Sequence, residues 1–301
     1  MKFARLFLSS LGLFISASLC ASPNWSLNDV DSGWNESSLI KMYFHNSELQ
    51  RQWAWELLAK QHFNGQERIL DFGCGDGKIC AELSRFVPRG GITGFDISSE
   101  MIAFAKIKFP QYAYPNLEFK QSSSLTFEDV PGKQTYDVVT SFCVFHLVPN
   151  SLEILKNLKS HLKPEGKLVL VVPAGKNPAF FEAANQTFEK YQMSAPWKNT
   201  PPANPSMRTT DGCRTLLTNA GYRVQSIEMV DTDTAFYDKQ ELIDYTIGTT
   251  TANWNIPVAK SRSFFTDLVN RMIELDSEVI DSEGRVHFKL SRIHVVALPE
   301  N

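Results

Sequence analysis

The chain has 301 residues, enough for one large α/β domain or two small ones. Apolar residues make up 43% and charged residues 21%, the proportions of a soluble globular protein. Thirty basic residues stand against 33 acidic ones with no block of like charge, which excludes the electrostatic footprint of a nucleic-acid binder or of a protein held on an anionic membrane.

Residues 1–22 have the layout of a secretory signal peptide. Lys2 and Arg5 precede the apolar run Leu6 to Leu19, and the small residues Ser18, Cys20, Ala21 and Ser22 follow before Pro23. The run is too short and too rich in serine for a stable membrane span, which needs roughly 20 apolar residues. The layout predicts export, periplasmic or secreted, of a chain covering 23–301. The alternative is an over-long gene start and a cytoplasmic protein. The cysteines pull the other way. Cys74, Cys80 and Cys143 sit in or beside apolar runs and no C-x-x-C pair occurs, so they read as buried, reduced thiols, which argues against an oxidising compartment. The six histidines are scattered, and no metal site is expected.

From Trp34 to Lys60 apolar residues recur at helical spacing, and one helix is predicted. Strands and helices then alternate. "RILDF" reads as a strand, Asp76 to Phe86 as a helix and "GGITGFDI" as a strand. Ser98 stands as N-cap to a helix Glu100 to Phe109; "LEFKQ" and "YDVVTSFCVF" are strands. Leu152 to Leu162 is a helix, and "GKLVLVVPA" a strand after Pro164 and Gly166. Such alternation means crossover units and a parallel sheet, and continuous apolar strands suit a sheet covered on both faces. The expected architecture is a doubly wound α/β fold, with a core over 34–174. Beyond it, over 175–301, helices are expected near "GKNPAFFEAANQTFEKYQ", Thr210–Ala220, Gln240–Ile247 and Ala259–Ser277, and strands at "YRVQSIEMVD" and "HFKLSRIHVVAL". These helical insertions follow strand ends, where a lid over the ligand edge would be built.

The stretch "ILDFGCGDGK" ends a strand in Asp71 and continues with Gly73, Cys74, Gly75, Asp76 and Gly77. A dinucleotide loop would read G-x-G-x-x-G, but here Lys78 occupies the third glycine's place. Asp71 and Asp76 would repel a pyrophosphate, and a P-loop is excluded because no G-K-[ST] follows. Carboxylates beside glycines favour a cationic ligand brought close to the backbone. S-adenosylmethionine fits: it carries an ammonium and a sulfonium and no phosphate. Asp96, at the end of the next strand, stands where nucleotide folds hold ribose hydroxyls.

"ILDFGCGDG", "GFDISSEMI", "YDVVTSFCVFHLV" and "LKSHLKPEGKLVLVV" together resemble the motifs of the class I S-adenosylmethionine-dependent methyltransferases, over about Trp34 to Ala174. The resemblance implies a Rossmann-like sheet of seven strands with a reversed last strand, which "HFKLSRIHVVAL" would supply. It implies that Asp71, Gly73, Cys74 and Gly75 line the methionine end and that Asp96 takes the ribose. Ile97 and Met101 would flank the adenine, with Ser122 or Ser123 where the family usually has an acid, and Cys143 to His146 would face the sulfonium and the substrate. "YFHNSELQRQWAWELL" resembles the leading helix of small-molecule carboxyl methyltransferases of the trans-aconitate and juvenile hormone acid type, with Tyr43 and Gln50 at its polar positions. Leu147 replaces the tryptophan usual in that group.

The resemblance implies methyl transfer to a small-molecule acceptor, a carboxylate or another oxygen. A carboxylate needs no base, whereas a protonated acceptor would want one; His146 is the candidate, as base or as orienting residue. Lys198, Arg208 and Arg214 are candidate cations for a carboxylate, and Trp197 and Trp254 candidate walls. Two alternatives stay open: an exported methyltransferase with a macromolecular partner, and an inactive binding protein on the same fold.

Overall fold

The computed structural model describes residues 36–122, 133–148, 150–174, 177–196 and 205–300. The signal-like segment 1–22, Trp34, Ser123, Trp197 and Lys198 lie outside them. No helix among the described residues is long and apolar enough to cross a membrane.

Two helices open the described chain, α1 (Ser37–Asn46) and α2 (Glu48–Leu58). One continuous helix was expected. Asn46 instead turns its amide back to the Met42 carbonyl at 2.8 Å, and Ser47 leaves helical geometry at φ −95°, ψ 29°. Apolar spacing continues across this break, so periodicity alone does not register it. Then follow β1 (Arg68–Phe72), α3 (Lys78–Leu83), β2 (Gly91–Asp96), α4 (Ser99–Lys108) and β3 (Leu117–Gln121). Ser98 caps α4 as expected, its hydroxyl accepting from the Met101 N–H. β4 (Tyr136–Phe142) stops short of the expected end because Cys143 takes φ +59°, a left-handed conformation uncommon outside glycine. α5 (Ser151–His161), β5 (Leu162–Ala174) and α6 (Pro178–Lys190) follow, and a 3₁₀ turn, Pro205–Arg208, leads into α7 (Thr210–Asn219). β6 (Tyr222–Phe236), α8 (Lys239–Thr250), α9 (Val258–Leu275) and β7 (Val286–Pro299) complete the order. β6 runs beyond its expected end at Asp231 because β7 pairs with it as far as Phe236.

The seven strands form one sheet in the order β3-β2-β1-β4-β5-β7-β6. β7 runs antiparallel to β5 and to β6, and the β1–β2, β1–β4, β2–β3 and β4–β5 pairs are parallel. The reversed last strand is thus present. Strand order turns back between β1 and β4, which locates the ligand edge outside their carboxyl ends. Side chains of β5 alternate as the pleat requires: Leu168, Leu170 and Val172 pack with α5 and α7, and Val169 and Val171 with α2 and α3. A third apolar cluster joins α6, α8 and α9, and Met42 and Leu49 from α1 and α2 pack against it. It also takes in Phe236 of β6 and Val286 and Phe288 of β7. Arg292 of β7, 1% exposed, stacks over Trp53 at 5.2 Å and pairs with Glu56 of α2.

The buried Tyr222 hydroxyl donates to the Leu155 carbonyl at 3.0 Å, tying β6 to α5. Tyr222→Phe is expected to cost about 1 kcal/mol, seen as a lower urea midpoint at unchanged slope.

Candidate active site

β1 delivers the chain into the glycine loop. Gly73 sits at φ +75°, and a Cβ there would meet the Val144 side chain at 2.3 Å, so both conformation and space demand glycine. Gly75, at φ +52°, faces open space: a Cβ would find only Tyr43, 3.9 Å away. Its N–H donates to Asp96 Oδ2 at 2.9 Å, while Asp96 Oδ1 accepts from the Ser98 N–H at 2.9 Å. Asp96 therefore braces the loop as well as ending β2. That dual role is not visible from spacing.

A narrow cleft lies between this loop and the helix pair, walled by Tyr43, Ser47, Gln50, Asp71, Gly73, Gly75, Asp76 and Lys78. Asp71 is buried at its floor; Oδ1 accepts from Thr140 at 2.6 Å and Oδ2 from the Cys80 thiol at 3.0 Å. Burial pushes its carboxyl up to about 6, and the two hydrogen bonds only partly oppose this. Asp76 is also raised by burial, against the pull of Lys78; its Oδ2 has no hydrogen bond, only the Lys78 ammonium 3.4 Å away. Burial and then Asp76 raise the Tyr43 hydroxyl. Gln50 spends its amide N–H on the Tyr245 hydroxyl at 3.4 Å, leaving a buried Oε1 with no hydrogen-bond partner.

Around the end of β2, Met101 is buried beneath Ser98, Ile97 accepts from Gln121, and the Ser122 N–H donates to the Asp96 carbonyl at 3.0 Å. Ile97, Met101 and Ser122, the described residues expected at the adenine end, thus lie around the strand end that carries Asp96. Cys143 lies within electrostatic reach of Tyr43 and Tyr245, and burial pushes its thiol up to about 12. Cys74 is pushed up to about 11 in the same way. The described cysteines are free. Cys74 and Cys213 are buried thiols packed in apolar clusters, whereas Cys80 also donates to Asp71.

His146 lies in the turn after β4. Its Nδ1 is buried without a hydrogen-bond partner, and burial, helped by the charge of Arg208, pushes the imidazole down to about 3. The Arg208 Nε is likewise buried and unpartnered. Lys198 lies outside the described residues; Arg208, on the 3₁₀ turn before α7, is within electrostatic reach of His146. Trp254 packs among Phe180, Phe188 and Phe265 in the third apolar cluster. Sequence reasoning missed Tyr245 and Lys78. Tyr245 left no local signal, and Lys78 left only its place where a dinucleotide loop has glycine.

These residues fit S-adenosylmethionine. Acidic groups converge on the glycine loop, where Asp96 adds to the upward push on Asp71, and buried acceptors of Gln50 and Asp76 face the same cleft without hydrogen bonds. Such a site suits an ammonium and a sulfonium.

Comparison with known proteins agrees. A family model described as a methyltransferase domain matches residues 63–235. A trans-aconitate 2-methyltransferase of Escherichia coli is 32% identical over 142 residues, 47% of this chain and 52% of that protein. The match thus spans about half the length of that curated relative. A protein of the same name from another Escherichia coli strain is 24% identical over 273 residues, covering 88% of this chain and 98% of the relative. Among solved structures, the YcgJ protein of Bacillus subtilis superposes with a TM-score of 0.54 at 15% identity, over 83% of this chain and 99% of that one, a likeness of fold alone. The family match and the glycine-loop geometry lead to one conclusion: the chain belongs to the class I S-adenosylmethionine-dependent methyltransferases.

Proposed function

We propose that the chain methylates a carboxylate oxygen of a small organic acid. The observation that carries this is the pair of buried, unpartnered nitrogens, Arg208 Nε and His146 Nδ1, beyond the carboxyl end of β4. Buried polar groups without partners are costly, and an anionic acceptor would satisfy both at once. A guanidinium suits a carboxylate better than any other side chain does. The depressed imidazole supports the same reading. A base with a pKa of about 3 takes a proton poorly from an alcohol or amine, whereas a carboxylate at neutral pH has none to give up. His146 then orients the acceptor through Nδ1. The name of the trans-aconitate 2-methyltransferase relatives points to a carboxylic acid as well.

When bound, S-adenosylmethionine supplies an electrophilic methyl group. Asp71 and Asp76 would hold its ammonium end, Asp96 its ribose, and Ile97, Met101 and Ser122 its adenine. Tyr43 and Gln50 cover the cleft and exclude water. The residues act chiefly by alignment, for which effective molarities of roughly 10⁵ M or more are attainable.

Titration calorimetry with the cofactor and its demethylated product, then an acceptor screen, tests the proposal. Di- and tricarboxylic acids are expected to yield methyl esters by mass spectrometry, and matched alcohols and amines to yield nothing. Methylation confined to alcohols or amines would overturn the carboxylate assignment. Absence of both ligands' binding would favour the inactive binding protein.

A further inference from the structure

The cleft between the glycine loop and the helix pair has a volume of about 30 Å³, whereas small-molecule pockets run from about 300 Å³ upward. One wall, Tyr43, Ser47, Gln50 and Arg51, belongs to α1 and α2; the other belongs to the loop and the start of α3. A ligand of cofactor size reaches the loop only if the first wall moves. The break at Asn46–Ser47 is the point where it can.

Lys78 joins the walls from inside the cleft. Lys78, the first residue of α3, donates from its ammonium to the Phe44 carbonyl in the last turn of α1 and to the Ser47 hydroxyl at 2.8 Å. It also stands over the Phe44 ring at 4.6 Å. Behind it lies the buried Asp76 carboxylate at 3.4 Å. Every component suits a cation. The last carbonyls of a helix lack intrahelical donors and attract positive charge. Ser47, positioned as N-cap of α2, makes no capping bond and gives its hydroxyl to Lys78 instead.

We propose that Lys78 is a positioning residue that latches the α1–α2 pair over the glycine loop, holding Tyr43 and Gln50 in place and setting the rate at which S-adenosylmethionine leaves. This rests on the reading of the cleft as the cofactor site. Arg51 reinforces the same wall more weakly through Glu82 of α3, at 2.7 Å on a partly exposed pair.

Hydrogen exchange of the cofactor-free full chain, and stopped-flow release of S-adenosylmethionine chased by excess demethylated product, test the latch in Lys78→Met and Lys78→Arg. In Lys78→Met, amides of residues 37–47 are expected to exchange about 10-fold faster while those of β1 and β4 keep their rates, and release is expected to quicken about 10-fold with association changed less than about 2-fold. Lys78→Arg, able to reach both acceptors, is expected to recover most of the loss. Unchanged exchange and release in Lys78→Met would overturn the latch, and so would a change confined to association. Should Lys78→Met fail to fold, Ser47→Ala removes one acceptor alone; a release about 3-fold faster supports the latch, and a wild-type rate overturns it. Wild-type chain that takes up no cofactor overturns the reading of the cleft instead, and is recognised before any variant is made.

Discussion

Asp71→Asn is expected to make the chain more stable above pH 6 while removing its hold on the cofactor. Burial raises the Asp71 carboxyl to about 6 in the folded chain, against an ordinary value near 3.8. Below about pH 4 the group is neutral in both folded and unfolded chains, and burial costs little. Between about 4 and 6 the unfolded chain loses the proton first, so the folded state loses ground as pH rises. Above about 6 the full cost stands, about 3 kcal/mol for a shift of about two units. Asparagine is neutral throughout, although it loses part of the bonding to Thr140 and Cys80, worth about 1 kcal/mol. A net gain of about 2 kcal/mol is therefore expected at pH 8, turning into a loss of up to about 1 kcal/mol at pH 4 and below. Urea unfolding of both proteins at the two pH values measures it, since all other groups titrate alike and cancel in the difference. An equal difference at both pH values would show that the carboxylate is not carried as a charge. Calorimetry on the same variant is expected to find S-adenosylmethionine binding lost.

Arg208→Met keeps the bulk of the side chain and removes its charge. Truncating one partner of a buried, hydrogen-bonded charge pair costs about 2–5 kcal/mol, so kcat/KM for a carboxylate acceptor is expected to fall about 30-fold or more, mostly through KM. Affinity for the cofactor is expected to stay, because Arg208 does not line the cleft over the glycine loop. A second readout needs no acceptor. The charge of Arg208 helps hold the His146 imidazole down at about 3, so its removal is expected to raise that value, though burial keeps it below 6.5. An NMR titration of the imidazole in the free chain decides the point. An unmoved His146 would mean that the two groups are not neighbours, and an unmoved KM that the carboxylate is held elsewhere. In the wild type, kcat is expected to show no inflection from His146 above about pH 5, since the imidazole is already neutral there.

The sheet and the glycine loop were legible because their signals are local. Apolar strands bounded by Gly and Pro, and three glycines at positive φ after β1, need no distant partner to be recognised. What escaped detection depends on contacts across the chain. The last third of β6, Thr232 to Phe236, has too little apolar character to read as a strand, and only its pairing with Leu290 through Val286 of β7 makes it one. The break between α1 and α2 is polar and local, but it lies inside an apolar repeat that runs on undisturbed. Tyr245 meets Gln50 across 195 positions, and His146 meets Arg208 through a turn whose path the sequence does not reveal. Motif spacing marked Asp96 as the candidate for the ribose; that its carboxylate also fastens the loop required coordinates.

The position of β7 governs how this protein comes into being during synthesis. Of the seven strands described it is the last made, yet it lies inside the sheet between β5 and β6. Until residues 286–299 leave the ribosome, β6 has no neighbour to pair with, and Glu56 on α2 waits for Arg292, 236 positions downstream. Pairings of such long range form slowly and leave apolar surface uncovered meanwhile. A nascent chain therefore carries a finished glycine loop well before it has a finished sheet. A chain cut just ahead of residue 286 would keep the glycine loop but leave β6 without its neighbour, and it would be a substrate for proteases rather than a slower enzyme.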